Sequence, residues 1–350
     1  MPLFRKNTRP AGTAQGPGAT TAPAQPAAPE PPAPPVDGLA GDPAAHRFRR
    51  ELAEGRWQEF HDFVEAMTDW NYRHFYVNSL SSISGRPAWL DEWVAARPQS
   101  AVAFLFRGSH GINWAWEARG GGRAKTVKED AWPVFQARLV AADRDLARAA
   151  ALDERDPTPF ARGIWVAMGL SLGQPEIRRR FGESERRHHL NGAANYGMVQ
   201  ALGRKWFGSR EEMFEFARWV CAQAPDGHSA HKVIALAHLE QWLDSPRGDA
   251  QRSYFLAEPV KAEIRTAADR SVRSPRYAVG LLTPGDRNVF AMCFRLMRDY
   301  DAQLEQMRLI GPLITPHPWR YQGNPGQAYE RARLLALEKS TGNARGRPSL

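Results

Sequence analysis

Three stretches of this sequence carry residue types that can do chemistry. Gly120-Gly121-Gly122-Arg123-Ala124-Lys125-Thr126 has the glycines, lysine and hydroxyl of a phosphate-cradling loop. Its lysine lacks a preceding glycine, and the run follows a helical pattern where phosphate loops follow a strand, so a plain loop is expected. His228, His231 and His238 lie close together, and the last two share a helix face with Glu240 nearby. A metal site on one helix uses an i, i+4 pair, which is missing, so no metal is expected. Gly108-Ser109-His110-Gly111 sets a hydroxyl beside an imidazole. Adjacent residues on a helix point about 100° apart and cannot share the hydrogen bond that nucleophilic catalysis needs. No Gly-x-Ser-x-Gly elbow occurs. Glu117 and Glu240 lie near aromatic residues that could raise a carboxyl pKa, yet nothing in the sequence pairs either with a second carboxylate. A hydrolase would need a site assembled from several distant segments, and no cofactor is implied.

The net charge of +9 invites an electrostatic reading. The densest basic run is Ile177 to Arg187, where Arg178, Arg179, Arg180, Arg186 and Arg187 face Glu183 and Glu185. Such a run could meet phosphates, which dominate nucleic-acid affinity. Ile177, Phe181 and Ser184 fall at i, i+4, i+7, however, and that spacing marks the arginines as the solvated side of an amphipathic helix. Nucleic-acid binding through Arg178–Arg187 and the basic tails is therefore the alternative reading.

These residues sit on a chain of three sections. Residues 1–43 are rich in proline and alanine and read as a disordered tether, because they cannot bury enough apolar surface to offset their ordering entropy. Residues 44–338 keep a helical period throughout, and 339–350 turn polar again as a disordered basic tail. The helical section reads as pairs. Helices are expected over 44–53 and 57–66, 69–83 and 87–96, 100–118 and a partner ending near 152, 158–172 and 175–187, 189–204 and 210–223, 229–243 and 258–273, and 286–298 and 301–310, with 326–338 as a last cap. Asp130 is the expected N-cap of the helix that carries Pro133, in preference to the capping-box candidate Thr126-x-x-Glu129, and Ser209-x-x-Glu212 forms a clean capping box. Alternating β-branched runs are absent, so the fold class is all-α. Cys221 and Cys293 offer neither a disulfide framework nor metal-ligand spacing, no secretory signal follows Met1, and no apolar run is long enough to span a bilayer. The expected setting is the cytoplasm, without membrane contact.

In the third pair, Phe104, Gly108, Ala142, Leu146 and Ala149 alternate large and small residues so that two helices can approach closely. This pattern resembles the tetratricopeptide-repeat superfamily, although Glu154 stands where that family has proline. The chain is also similar to a group of proteins of high-GC bacteria, through Asn113-Trp114-Ala115-Trp116-Glu117-Ala118-Arg119-Gly120 and Arg210-Glu211-Glu212-Met213-Phe214, and that likeness implies no activity. The superfamily implies an irregular α-solenoid of stacked antiparallel helical hairpins, with a concave groove that binds a peptide or a partner's helix. In its register Ser109, Asn113 and Trp116 face the groove, as do His238, Gln241 and Trp242. A register shifted by one residue would put Arg107, His110, Trp114 and Glu117 there instead. Most of the 12 tryptophans should fill gaps between hairpins. The expected function is a non-catalytic interaction module for a protein or peptide partner.

Overall fold

A computed structural model of the chain describes residues 32–120 and 130–345. The phosphate-loop-like run after Gly120, the Thr126 capping-box candidate and most of the proposed tether lie outside these residues. Among the described residues the fold is all-helical, with sixteen α-helices and no strand. They are α1 (Pro43–Ala53), α2 (Gln58–Glu65), α3 (Trp70–Leu80), α4 (Trp89–Ala96), α5 (Ala101–Arg119), α6 (Ala131–Leu152), α7 (Thr158–Gly169), α8 (Gly173–Arg187), α9 (Gly192–Leu202), α10 (Arg210–Gln223), α11 (Lys232–Asp244), α12 (Asp249–Ser253), α13 (Glu258–Asp269), α14 (Thr283–Met297), α15 (Tyr300–Ile310) and α16 (Pro325–Arg345).

Local signals in the sequence set these boundaries. Asp42, Asp69, Asn191, Ser209 and Asp299 each accept a hydrogen bond from a backbone N–H in the first turn of the helix that follows. The Ser209 hydroxyl takes the Glu212 N–H at 3.1 Å, but the Glu212 carboxylate turns to Gln174, so only half of the capping box forms. Asp130 is the N-cap of α6 by position, with no side-chain cap bond. Two expectations needed correction at the ends. Helix α16 continues past residue 338 to Arg345. Residues 33–41, assigned above to the tether, belong to the fold: Asp37 N–H donates to the Ile314 carbonyl at 2.8 Å, Leu39 is fully buried, and Pro34 lies against Gly326.

From α5 onward the helices pack in pairs, α5 with α6, α7 with α8, α9 with α10, α11 with α13 and α14 with α15. The first helices also touch one another in order, and each second helix touches the next first helix. Position in this arrangement explains composition. Helices α7, α9, α11 and α14 are buried around most of their circumference, as a helix apolar on all sides must be. Helix α8 keeps Ile177, Arg180 and Ser184 inward and Arg178, Arg179 and Arg186 in solvent.

The inner face of the first helices is not open along its length. Arg73 Nε on α3 donates to Asp156 at 2.9 Å, Asn78 accepts from Arg162 at 2.6 Å, and Asn71 accepts from the Gly192 N–H at 3.2 Å. The first two contacts advance together along both chains, so α3 runs parallel to α7 and lies across the starts of α7 and α9. The chain thus places one of its own helices where the resemblance implied a groove for a partner.

The Arg73–Asp156 pair is almost wholly buried and Arg73 also donates to the Val64 carbonyl at 2.7 Å. Removing one member leaves the other charge uncompensated. Asp156→Ala should therefore lower the unfolding free energy by about 3–5 kcal/mol in urea titration. Gly182→Ala, a helix position with open space around it, should raise it by about 0.5–1 kcal/mol.

Candidate functional site

Close helix contact creates a cleft on the surface. A Cβ on Gly108 would lie 3.1 Å from the Ala142 carbonyl oxygen and 3.2 Å from Leu146, and one on Gly111 would lie 3.1 Å from the Ala142 methyl. These contacts are tighter than side chains normally make, so the two glycines and Ala142 let α5 and α6 cross at short range. Longer residues flank the crossing on either side. Between them lies a cleft of about 270 Å³ lined by Arg86, Arg107, His110, Gly111, Trp114, Arg138, Ala141, Ala142, Arg144 and Asp145.

Four guanidinium groups surround this space against one lining carboxylate. Arg107 is fixed by a two-pronged contact with Asp145, at 2.8 and 2.7 Å, and by Asp91 at 3.0 Å. Asp91 also holds Arg86 at 2.7 Å. Arg138 stacks over the Trp114 ring, 3.4 Å from its centroid, and donates to the Trp114 carbonyl at 2.8 Å. The imidazole of His110 lies 6.2 Å from the indole and nearly parallel to it. Burial lowers the His110 pKa, despite the Ser81 and Gly85 backbone contacts that act to raise it, so the ring is neutral near pH 7. Arg144 is exposed at the rim. The cleft can bind an anion by charge-assisted hydrogen bonds. It contains no hydroxyl or thiol nucleophile and no carboxylate pair.

The sequence-predicted residues divide between two places. Ser109 is fully buried, Asn113 bonds to Ser81, Ser82 and Arg162, and Trp116 packs edge-on against Phe135, Trp165 and Trp206. This stripe faces α3 and α7, so it is not a free docking face. The shifted register is the one that meets the cleft, through Arg107, His110 and Trp114, with Glu117 exposed and close enough to Arg138 to act on its charge. His238 is buried at 2.8 Å from the Tyr254 hydroxyl and 2.9 Å from Glu263, under α10 and α13. Trp242 packs on Phe255, and Gln241 stays half-buried beside it. These three do not join the α5 residues. Sequence reasoning missed Arg86, Arg138 and Arg144. Arg138, Ala141 and Asp145 fall at i, i+3, i+7 on one side of α6, which was a usable signal.

Other clusters resolve into structural roles. His228 caps the Ala230 N–H and His231 contacts the Pro225 carbonyl, so the three histidines diverge. His61, Asp62 and Glu65 are close enough together to hold a metal ion. The Trp93 indole N–H donates to His61 Nδ1 at 3.3 Å, however, which places the imidazole proton on Nε2, facing Glu65, where a metal would need a lone pair. In the basic run Arg179 and Arg180 engage Glu176, Arg180 also engages Asp143, Arg186 and Arg187 share Glu183, and Arg178 reaches Gln174 and Glu212. Both thiols are free; burial pushes Cys221 up to about 11 and Cys293 higher still, so neither is a thiolate near pH 7. No helix among the described residues is long and apolar enough to cross a membrane. No family model, curated protein or solved structure matches this chain.

Burial acts to raise the Glu263 pKa, but hydrogen bonds from His238 and Arg218 outweigh it and hold the carboxyl at about 2. A depressed carboxyl pKa gives stability that is present above the ordinary value of 4.5 and is lost as pH falls toward about 2. Glu263→Gln should flatten that part of an acid-unfolding curve, measured by circular dichroism across this window.

Proposed function

We propose that this chain is a protein-interaction module, and that it takes an acidic peptide segment of a partner in the cleft between α5 and α6. Its hairpins form an irregular tetratricopeptide-like solenoid, a reading supported by first helices that touch in order and by the Gly108–Ala142 crossing. Free thiols fit a cytoplasmic setting.

The observation that carries the proposal is the imbalance of charge around the cleft, where Arg86, Arg107, Arg138 and Arg144 meet Asp145 in the lining, Asp91 behind it and the exposed Glu117 near Arg138. Rigid arginines beside an aromatic ring suit a glutamate or aspartate flanked by an apolar residue. The inner face is a poorer candidate for a peptide because α3 lies on it. Nucleic acid fits less well for two reasons. Arg138 already covers a face of the Trp114 ring on which a base would stack, and the five arginines of 178–187 are all paired with carboxylates, two of them sharing Glu183.

The test is fluorescence anisotropy with a short labelled peptide of glutamate and leucine, its glutamine counterpart, and a single-stranded oligonucleotide. The glutamate peptide should bind best. Arg138→Ala and Arg144→Glu should each weaken it by about tenfold, equivalent to about 1.4 kcal/mol. Binding that ignores both substitutions, or an oligonucleotide that outcompetes the peptide, would overturn the proposal.

A further inference from the structure

Part of the positive charge around the α5–α6 cleft is neutralised within the molecule and part is not. Both Asp145 oxygens are taken by Arg107, through Nε at 2.8 Å and a terminal nitrogen at 2.7 Å. Asp91 is shared between Arg107 at 3.0 Å and Arg86 at 2.7 Å. Two carboxylates therefore balance two guanidinium groups. Arg138 and Arg144 are left over: Arg138 donates to the neutral Trp114 carbonyl, Arg144 stands exposed at the rim, and neither forms an ion pair among the described residues. Glu117, exposed nearby, acts on the Arg138 charge. Desolvation outweighs it, so the Arg138 pKa is lowered and the carboxylate does not make up for the water that the guanidinium has lost.

The directions from which these groups approach matter as much as their number. Arg86 comes from the turn before α4, Arg107 from α5, and Arg138 and Arg144 from α6. The space they border, about 270 Å³, equals the share of about nine water molecules in the liquid, more than one carboxylate fills. A carboxylate is planar, carries a single charge and receives its donors close to one plane. A phosphoryl group carries close to two charges near pH 7 and offers three oxygens that diverge, so it can meet donors arriving from three elements at once. Two guanidinium groups without an ion pair match that charge. His110, neutral near pH 7, adds nothing to the count.

Taking the cleft as the peptide site, we propose that the acidic group it prefers is a phosphorylated side chain of the partner, and that Arg138 and Arg144 distinguish the phosphate dianion from a carboxylate. Arg107 and Arg86, held by Asp145 and Asp91, form the fixed wall of the site. Arg138 lies against the Trp114 ring, 3.4 Å from its centroid, and needs little further ordering to bind. Arg144 supplies the second charge from the rim. Clustered arginines recognise phosphorylated motifs through such charge-assisted hydrogen bonds. The cleft thereby reads the modification state of its partner, since an unmodified serine brings no charge and leaves both arginines as they are.

Anisotropy with three labelled peptides tests it on the full chain, each peptide placing one residue between leucines: phosphoserine, glutamate or serine. The phosphoserine peptide should bind about tenfold more tightly than the glutamate peptide, and the serine peptide least. Arg144→Glu, at an exposed position that folding does not need, should weaken the phosphoserine peptide by about a hundredfold and the glutamate peptide by about tenfold, which removes the preference. Arg138→Ala should do the same. Raising the pH from about 5.5 to about 7.5 takes the phosphate through its second ionisation, near pH 6, and should tighten the phosphoserine peptide relative to the glutamate peptide. A change in His110 acts on both peptides alike, so the difference between them reports the phosphate. Unlabelled phosphoserine peptide should compete far better than inorganic phosphate; equal competition refutes a phosphorylated partner as the ligand. If glutamate binds through Arg138 and Arg144 as tightly as phosphoserine, the phosphate assignment falls and the acidic-peptide reading stands. A phosphoserine preference untouched by both substitutions also defeats the assignment, and failure of both acidic peptides to bind defeats the two readings together.

Discussion

The buried ion pair between Arg73 and Asp156 organises the rest of the molecule. It ties α3 to the start of α7, and through that tether come the contacts of Asn71 with α9 and of Asn78 with Arg162. Asp156 also accepts the Thr158 N–H at 2.7 Å, so one carboxylate both starts a helix and anchors a second one across it. A buried pair is a weak source of net stability but a strong selector of geometry, because every arrangement that separates the charges is penalised. Such a device suits a helix that crosses others with little regular interdigitation of its own.

Most of the helix pattern was legible in the sequence because its signals are local. Proline in first turns, aspartate or serine N-caps and apolar spacing are set by the residues themselves, and they placed α5, α8, α10 and α15 within one or two residues. The small residues at 108 and 142 likewise announced a close crossing, whereas Gly111 was not read as part of it. What was not legible was the covering of the inner face. Nothing local distinguishes α3 from a helix of an ordinary hairpin, since its partners, Asp156, Arg162 and Gly192, lie far along the chain. The same limit applied to the site. A one-residue choice of register on α5 decides whether Ser109, Asn113 and Trp116 or Arg107, His110 and Trp114 are open to solvent, and that choice is made by what packs against the helix.

The two faces of α5 therefore serve different chemistry with adjacent residues. Ser109 offers its carbonyl to Arg162 on the inside, while His110, one position on, borders the outer cleft. Arginine has opposite uses on the two sides. Outside, Arg107 is held by Asp145 and Asp91 and so presents an ordered edge at little further entropic cost. Inside, Arg162 is held only by neutral oxygens in a medium of low polarity, where each interaction is stronger than in water.

The early segment from Ala33 to Gly41 lies against Leu313, Ile314 and Gly326, near the far end of the chain. A linear array of hairpins ordinarily frays from its terminal units, since each depends only on its neighbours. Here the first and last units are stitched together, and neither can peel away without breaking the seam between them. The molecule should consequently melt as one cooperative body, with no partially unzipped form accumulating.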